Sequence, residues 1–169
     1  NDVILAGSPA IPQNAAIEHL PTAVDGADYL GTTAVTTEEW LGLTYDMDRD
    51  TVDGFVSGGL RRFQLASRPE EVVEVVVLEF ETPEQAATLQ AELLTAGEAA
   101  ETGTEIDLPE SIAAKADAIE QATLVELQAN QGNYFIDIAI FAPLADTDIA
   151  AAKADLITIG EQVIGQFVE

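Results

Sequence analysis

Four aspartates in the segment 46–53 are the best candidates for metal ligands in this chain. Asp46, Asp48 and Asp50 alternate along the sequence, and Asp53 follows shortly after them. Calcium loops of the EF-hand type use oxygen ligands at positions 1, 3 and 5, a glycine at position 6 and a bidentate glutamate at position 12. Counted from Asp46, position 6 is a threonine and position 12 is a serine. The segment is therefore interpreted as a solvated acidic loop, and a Ca²⁺ site on these four aspartates is the alternative. No other cofactor is expected.

Nucleophilic and zinc-dependent catalysis find little support in the residue types. His19 is the only histidine, and the chain has no cysteine. A catalytic serine generally needs an adjacent base, and none of the serines lies in a Gly-x-Ser-x-Gly elbow. Zinc sites draw on cysteine and histidine side chains that this chain does not supply. We therefore expect His19 to be an exposed residue without a catalytic role, and the protein not to be an enzyme.

Paired carboxylates are the one catalytic device that the composition allows, since glycoside hydrolysis needs two carboxyl groups at a set separation. With 31 acidic residues, such pairs arise by chance, so the sequence alone does not discriminate. Asp137 stands out because Phe135 and Phe141 share its side of an otherwise apolar strand. If it is buried, its pKa is raised and it is a functional candidate. Exposure on an open sheet face, which is common in antiparallel sheets, is the favoured interpretation.

The charge balance excludes several classes of partner. The chain has 31 acidic and six basic residues, which gives a net charge of −25. Such a field repels nucleic acid and anionic lipid headgroups, and no apolar run approaches the roughly 18 residues of a membrane span. Self-repulsion destabilises the compact state in dilute buffer, whereas molar salt, with a Debye length of ~3 Å, screens it. The composition is typical of halophilic proteins; an ordinary acidic secreted protein is the alternative.

A first group of two strands and a helix is predicted in the middle of the chain. A short helix over Asp50–Val56 precedes strands over Leu60–Ala66 and Val72–Glu81. The second of these strands is apolar on both sides in its middle, which indicates a central strand covered on each face. A capping-box pattern then opens a helix over 83–95, which Gly97 ends.

The same order recurs near the carboxyl end. Strands over Ala122–Ala129 and Tyr134–Ala142 flank a hairpin turn rich in Asn and Gly. A helix follows, with Asp146 or Thr147 as its N-cap. Gly160 lies inside this helix, where glycine costs up to ~1 kcal/mol relative to alanine, so we expect a close approach to the sheet there.

These patterns predict a single α+β domain over residues 1–169. Its antiparallel sheet of four or five strands comes from a ββα–ββα pseudo-repeat, and two main helices pack on it. The predicted parts are an irregular N-terminal arm with short helices (1–49), the first ββα unit (50–97), a connector (98–121) and the second ββα unit (122–169).

Four segments carry a resemblance to a known group of proteins. They are Phe55–Phe63, Val75–Ala87, Ile106–Pro109 and Gly132–Tyr134. Together they resemble small lipoprotein-type surface domains found in uncharacterised secreted proteins of actinobacteria and haloarchaea. Such domains are usually tethered by a lipidated cysteine, which this chain does not contain.

That resemblance implies export and no known chemistry. The chain starts at Asn1 rather than at a methionine, so either a leader was removed or the sequence begins inside a longer product, and a processed, exported chain is the favoured interpretation. We therefore expect a non-enzymatic exported or cell-surface module that contacts a protein or cell-envelope partner, without inserting into the membrane and without binding nucleic acid. A small-ligand or divalent-cation binding protein is the alternative.

Overall fold

The computed structural model describes residues 13–44, 53–99, 104–113, 116–121, 124–141 and 148–167. The strands are β1 (Ala27–Ala34), β2 (Phe55–Leu65), β3 (Val72–Phe80), β4 (Thr104–Glu105), β5 (Ala116–Glu120), β6 (Leu124–Gln131) and β7 (Tyr134–Phe141). The helices are α1 (Ala15–Glu18), α2 (Thr37–Thr44), α3 (Pro83–Ala99), α4 (Glu110–Ala113) and α5 (Ile149–Gly165). All seven strands form one antiparallel sheet in the order β1-β2-β3-β7-β6-β5-β4, so the α+β class is confirmed.

Helices cover both faces of this sheet. The first face is defined as the side on which α1, α4 and α5 pack, and the second face as the side on which α2 and α3 pack. Strand β3 supplies apolar side chains to both, with Val73 and Val75 on the first face and Val76 and Leu78 on the second. The double apolar pattern of this strand therefore predicts its central, covered position correctly.

The first face holds the larger apolar core. Ile136, Ile138 and Ile140 of β7 are fully buried there against α5. Gly160 of α5 lies so close to the sheet that a Cβ atom would come within 2.7 Å of Leu127 Cδ1. Glycine at this position therefore permits the close approach of α5 to the sheet that the sequence predicts.

Capping boxes open both α2 and α3, and the box of α3 lies at the predicted position. At the start of α2, Glu39 N donates to Thr36 Oγ1 (3.1 Å), and Thr36 N donates to Glu39 Oε2 (2.9 Å). At the start of α3, Thr82 N donates to Gln85 Oε1 (3.0 Å), and Gln85 N donates to Thr82 Oγ1 (3.4 Å). Each box pairs two backbone donors that a helix start otherwise leaves without partners.

The prediction of four or five strands is wrong, because parts of the expected N-terminal arm and of the expected connector also join the sheet. Part of the expected irregular arm forms β1, which pairs with β2 from Ala27–Leu65 to Ala34–Gly59. Part of the expected connector forms β5, which pairs with β6. Strand β1 lies at an edge of the sheet and has no buried residue. Its pairing depends on contacts distant in sequence.

Three local boundaries also differ from prediction. Asp53 and Gly54 form a turn, and β2 already begins at Phe55, so this part of the expected helix over Asp50–Val56 is wrong. Helix α3 continues through Gly97. Helix α5 is capped by Asp148, whose carboxylate accepts from Ala151 N (3.1 Å). The expected caps at 146 and 147 lie outside the described residues.

The order hairpin–helix occurs in β2-β3-α3 and again in β6-β7-α5. The two helices have 17 residues each and lie on opposite faces of the sheet. The interpretation of these two units as an internal repeat, and the subdivision of the domain that follows from it, stay predictions.

Candidate functional site

The predicted calcium ligands are only partly within the described residues. Asp46, Asp48 and Asp50 lie outside them, whereas Asp53 is exposed in the turn before β2. Among the described residues, no group of three or more acidic or histidine side chains is arranged to hold a metal ion. The calcium site stays a prediction.

His19 is exposed at the end of α1, as predicted. Its ring lies 4.5 Å from that of Tyr134 and 5.1 Å from that of Phe167, measured between centroids. These two rings belong to the start of β7 and to the residues just after α5. The imidazole therefore takes part in an aromatic contact that joins α1 to the first face.

Asp137 differs from its favoured interpretation, because it is buried rather than exposed. Only 3% of the residue is accessible to solvent. It lies on the second face opposite Gln128 of β6. Glu126 of β6 and Glu74 of β3 are the pairing partners of Ala139, two residues further along β7. Helix α3 contacts β3, β6 and β7 on this side of the sheet. The face is covered instead of open, and this burial could not be inferred from the alternation of β7 alone.

Burial raises the pKa of Asp137 well above its ordinary value, because the charged form loses its hydration. The charge of Glu126, a hydrogen bond with Glu126 and the charge of Glu74 raise this pKa further, whereas a hydrogen bond from Gln128 acts in the opposite direction. The Oδ1 atom of Asp137 has no hydrogen-bond partner among the described residues. A protonated Asp137 that donates to Glu126 accounts for the hydrogen bond between these two carboxyl groups.

This carboxyl pair does not have the geometry of a glycosidase. Retaining enzymes hold their two carboxyl groups about 5–5.5 Å apart, and inverting enzymes about 6.5–9.5 Å apart, across a cleft that admits the sugar. Asp137 and Glu126 are instead hydrogen-bonded to each other, and both are almost completely buried. The pair is suited to holding a proton inside the sheet and not to attacking a substrate between two carboxyl groups.

A separate cavity of about 380 Å³ opens on the second face, beside α3. Four elements meet around it, namely α3, the end of α4, β5 and β6. Its lining residues are Ala87, Gln90, Ala91, Leu94, Ala113, Ala116, Asp117 and Asn130. Half of these lining residues are alanine, and three polar side chains converge on the cavity.

These three polar side chains form a connected network. Gln90 Nε2 donates to Asp117 Oδ2 (2.8 Å) and to the backbone oxygen of Gln128 (3.3 Å). Asn130 Nδ2 donates to Gln90 Oε1. The Gln90 side chain is buried and held from both ends, so the network is preorganised. The sequence shows no signal for this site, because the three residues come from a helix, a connector and a hairpin.

Every basic residue of the described ranges has an internal partner. They are Arg61, Arg62, Arg68 and Lys153. Their partners are the backbone oxygens of Leu20 and Pro21 for Arg61, Glu74 for Arg62, Glu71 and Asp155 for Arg68, and Glu120 for Lys153. This part of the surface therefore offers no cluster of unengaged positive charge to an anionic partner. In addition, none of the described helices is sufficiently long and apolar to cross a membrane.

No protein-family model matches the chain, and a search of curated proteins finds no match. Among solved structures, the chain is similar to the extracellular domain of PknH from Mycobacterium tuberculosis. The sequence identity is 15% and the TM-score is 0.41, over 82% of this chain and 80% of that chain.

Proposed function

We propose that this chain is a non-enzymatic, exported or cell-surface module of a halophilic organism, and that it acts through contacts with a protein or with the cell envelope. The observation that carries the proposal is the charge distribution. The net charge is −25, and the basic residues of the described ranges are all bonded to other residues of the chain. A surface of this kind stays soluble in molar salt, where its self-repulsion is screened.

The same distribution restricts the partner. Arg61 and Arg62 are adjacent on β2. Arg61 donates to backbone oxygens of the N-terminal segment, whereas Arg62 forms an ion pair with Glu74. They are not available together to hold a phosphate group. A neutral or positively charged partner surface is therefore favoured over nucleic acid or an anionic headgroup.

Two features support the absence of catalysis. The buried pair of Asp137 and Glu126 has no cleft between its carboxyl groups, and His19 packs its ring against aromatic neighbours. The resemblance to lipoprotein-type surface domains supports export.

The halophilic part of the proposal is tested by thermal unfolding, followed by circular dichroism, from dilute buffer to molar NaCl. We expect the melting temperature to rise steadily with salt, because screening relieves the repulsion between acidic residues. As a control, Glu70, Glu81 and Glu84, all exposed, are replaced together by glutamine. This variant should melt at a higher temperature in dilute buffer and respond less to salt. A melting temperature independent of NaCl contradicts adaptation to salt.

The calcium alternative is tested in the same assay at constant ionic strength. Binding at the segment 46–53 predicts a sharp rise in melting temperature with millimolar Ca²⁺, which Asp48→Ala abolishes. An identical melting temperature with and without Ca²⁺ rejects this site and leaves the salt-adapted module as the proposed function.

A further inference from the structure

We propose that the cavity between α3 and β5 is a binding site for a small primary ammonium ion, that is, a short aliphatic amine in its protonated form. This site is distinct from the segment 46–53 and from the buried carboxyl pair. Its ligand class follows from three properties of the lining: the hydrogen-bonding groups left over, the charge and the shape.

The hydrogen bonds within the lining leave mainly acceptors for a ligand. A glutamine amide has two N–H hydrogens, and those of Gln90 are directed to Asp117 and to the Gln128 backbone. Its oxygen accepts from the amide nitrogen of Asn130, which turns the Asn130 oxygen away from this bond. Within the described ranges, the carboxylate of Asp117 and the Asn130 oxygen therefore keep accepting capacity. A ligand that satisfies them must be a hydrogen-bond donor.

The charge of the site favours a cation among the possible donors. Asp117 is the only charged residue among the described lining residues, and its side chain is exposed enough to meet a ligand. Hydrogen bonds between an ammonium group and a carboxylate are about twice as strong as those between neutral groups. The net charge of −25 also concentrates small cations around the protein.

The lining side chains other than the three polar ones are small or aliphatic. Alanines and Leu94 surround the three polar side chains, and the volume of about 380 Å³ falls within the range of ligand pockets. Proteins recognise quaternary ammonium groups with aromatic cages, and none of the lining residues that the structure describes is aromatic. A quaternary ion also has no N–H to donate. The site therefore favours a primary ammonium over a quaternary one.

The test is a titration of the ¹⁵N-labelled full chain in molar NaCl, followed by NMR, with n-butylammonium chloride as the probe. We expect saturable shifts of the side-chain amide signals of Gln90 and Asn130. Tetramethylammonium chloride and 1-butanol are the matched probes that lack the N–H donors and the charge, respectively. Both should cause no saturable shift at these two residues.

Two variants locate the site. Asp117→Asn removes the charge but keeps the shape, and we expect it to weaken butylammonium binding about tenfold or more. Asp28→Asn, a matched change of an exposed residue on β1, should leave the affinity unchanged. Ala91→Leu fills the cavity from α3 and should abolish binding while the network of Asp117 stays in place.

The proposal is overturned if butylammonium causes no saturable shift, if Asp117→Asn and Ala91→Leu both bind it as the parent chain does, or if tetramethylammonium binds equally well. The last outcome would mean attraction by the general anionic field. These results are independent of the salt dependence of melting, so the failure of this site is distinguishable from the failure of the proposed function.

Discussion

The two faces of the sheet come from the same strands, yet their interiors differ in chemistry. On the first face, Ile136, Ile138 and Ile140 alternate along β7 and pack against α5 without a buried charge between them. On the second face, the intervening position of the same strand is Asp137, next to Glu126. Helices pack on both faces. Burial in this protein is therefore decided by what packs over a strand, and side-chain polarity adapts to it through protonation and hydrogen bonding.

The polar interior of the second face also distinguishes one strand register from another. A slip of β7 by one residue exchanges its faces, so Asp137 would move among the isoleucines and valines of the first face. A carboxyl group there would have no Glu126 or Gln128 to bond, which is costly in an apolar core. The carboxyl pair therefore penalises the incorrect pairing of β7.

The largest effect is expected on the first face. Ile138→Ala removes a fully buried side chain and leaves a cavity, so it should lower the free energy of unfolding by about 2–5 kcal/mol. Chemical denaturation in molar NaCl measures this loss. Val56→Ala, which truncates an aliphatic side chain that is 52% exposed, is the control and should change stability by less than about 0.5 kcal/mol. A small effect of Ile138→Ala would mean that the first face is loosely packed.

A change that depends on pH is expected on the second face. The raised pKa of Asp137 means that the folded state keeps a proton that the unfolded state releases above about pH 4. The free energy of unfolding therefore falls as pH rises from there to the pKa of the folded state, by at most about 1.4 kcal/mol per pH unit for one proton.

Asp137→Asn removes this titration and keeps the shape. We expect the variant to gain stability relative to the parent chain as pH rises through that window, measured by denaturation at several pH values and constant salt. Asp28→Asn is exposed and should follow the parent profile. If the Asp137→Asn and parent profiles are parallel at all pH values, then Asp137 is not protonated in the folded state.

The smallest effect on stability is expected at the start of α5, one of the helices on the first face. Asp148→Ala deletes the N-cap of α5, whose carboxylate accepts from Ala151 N, and should cost about 0.5–2 kcal/mol. Asp107→Ala, an exposed residue outside the helices, is the matched control. Denaturation should show a loss for the first variant alone. Equal losses would assign the effect to the change in net charge and not to the cap.

Features that depend on neighbouring residues were predictable from the sequence. Both capping boxes follow from a spacing of three residues, and the β6–β7 hairpin turns at Gly132, where φ is +55°. The double apolar pattern of Val72–Phe80 correctly placed β3 inside the sheet. In each case the deciding interaction lies within a few residues of the chain or belongs to a strong hydrophobic alternation.

The features that were missed depend on distant partners. Strand β1 has no buried residue, so only its pairing with β2 identifies it as part of the sheet. Of the candidate site residues, Asp137 was recognised as unusual, but its burial depends on α3. This helix belongs to an earlier part of the chain and contacts β3, β6 and β7. Gln90, Asp117 and Asn130 carry no motif, because their chemistry arises only where they meet.

The sequence by itself therefore determined the composition-driven properties and the local ones: the anionic surface, the capped start of α3, the central strand and the close approach at Gly160. The tertiary structure alone decided which face Asp137 is buried in, which groups perturb its pKa, and that a cavity with surplus hydrogen-bond acceptors forms beside α3. The physical reason is range. Net charge follows from composition, and capping and alternation depend on neighbouring residues. The hydrogen bonds of the cavity, in contrast, join residues that are 27 and 40 positions apart in the chain.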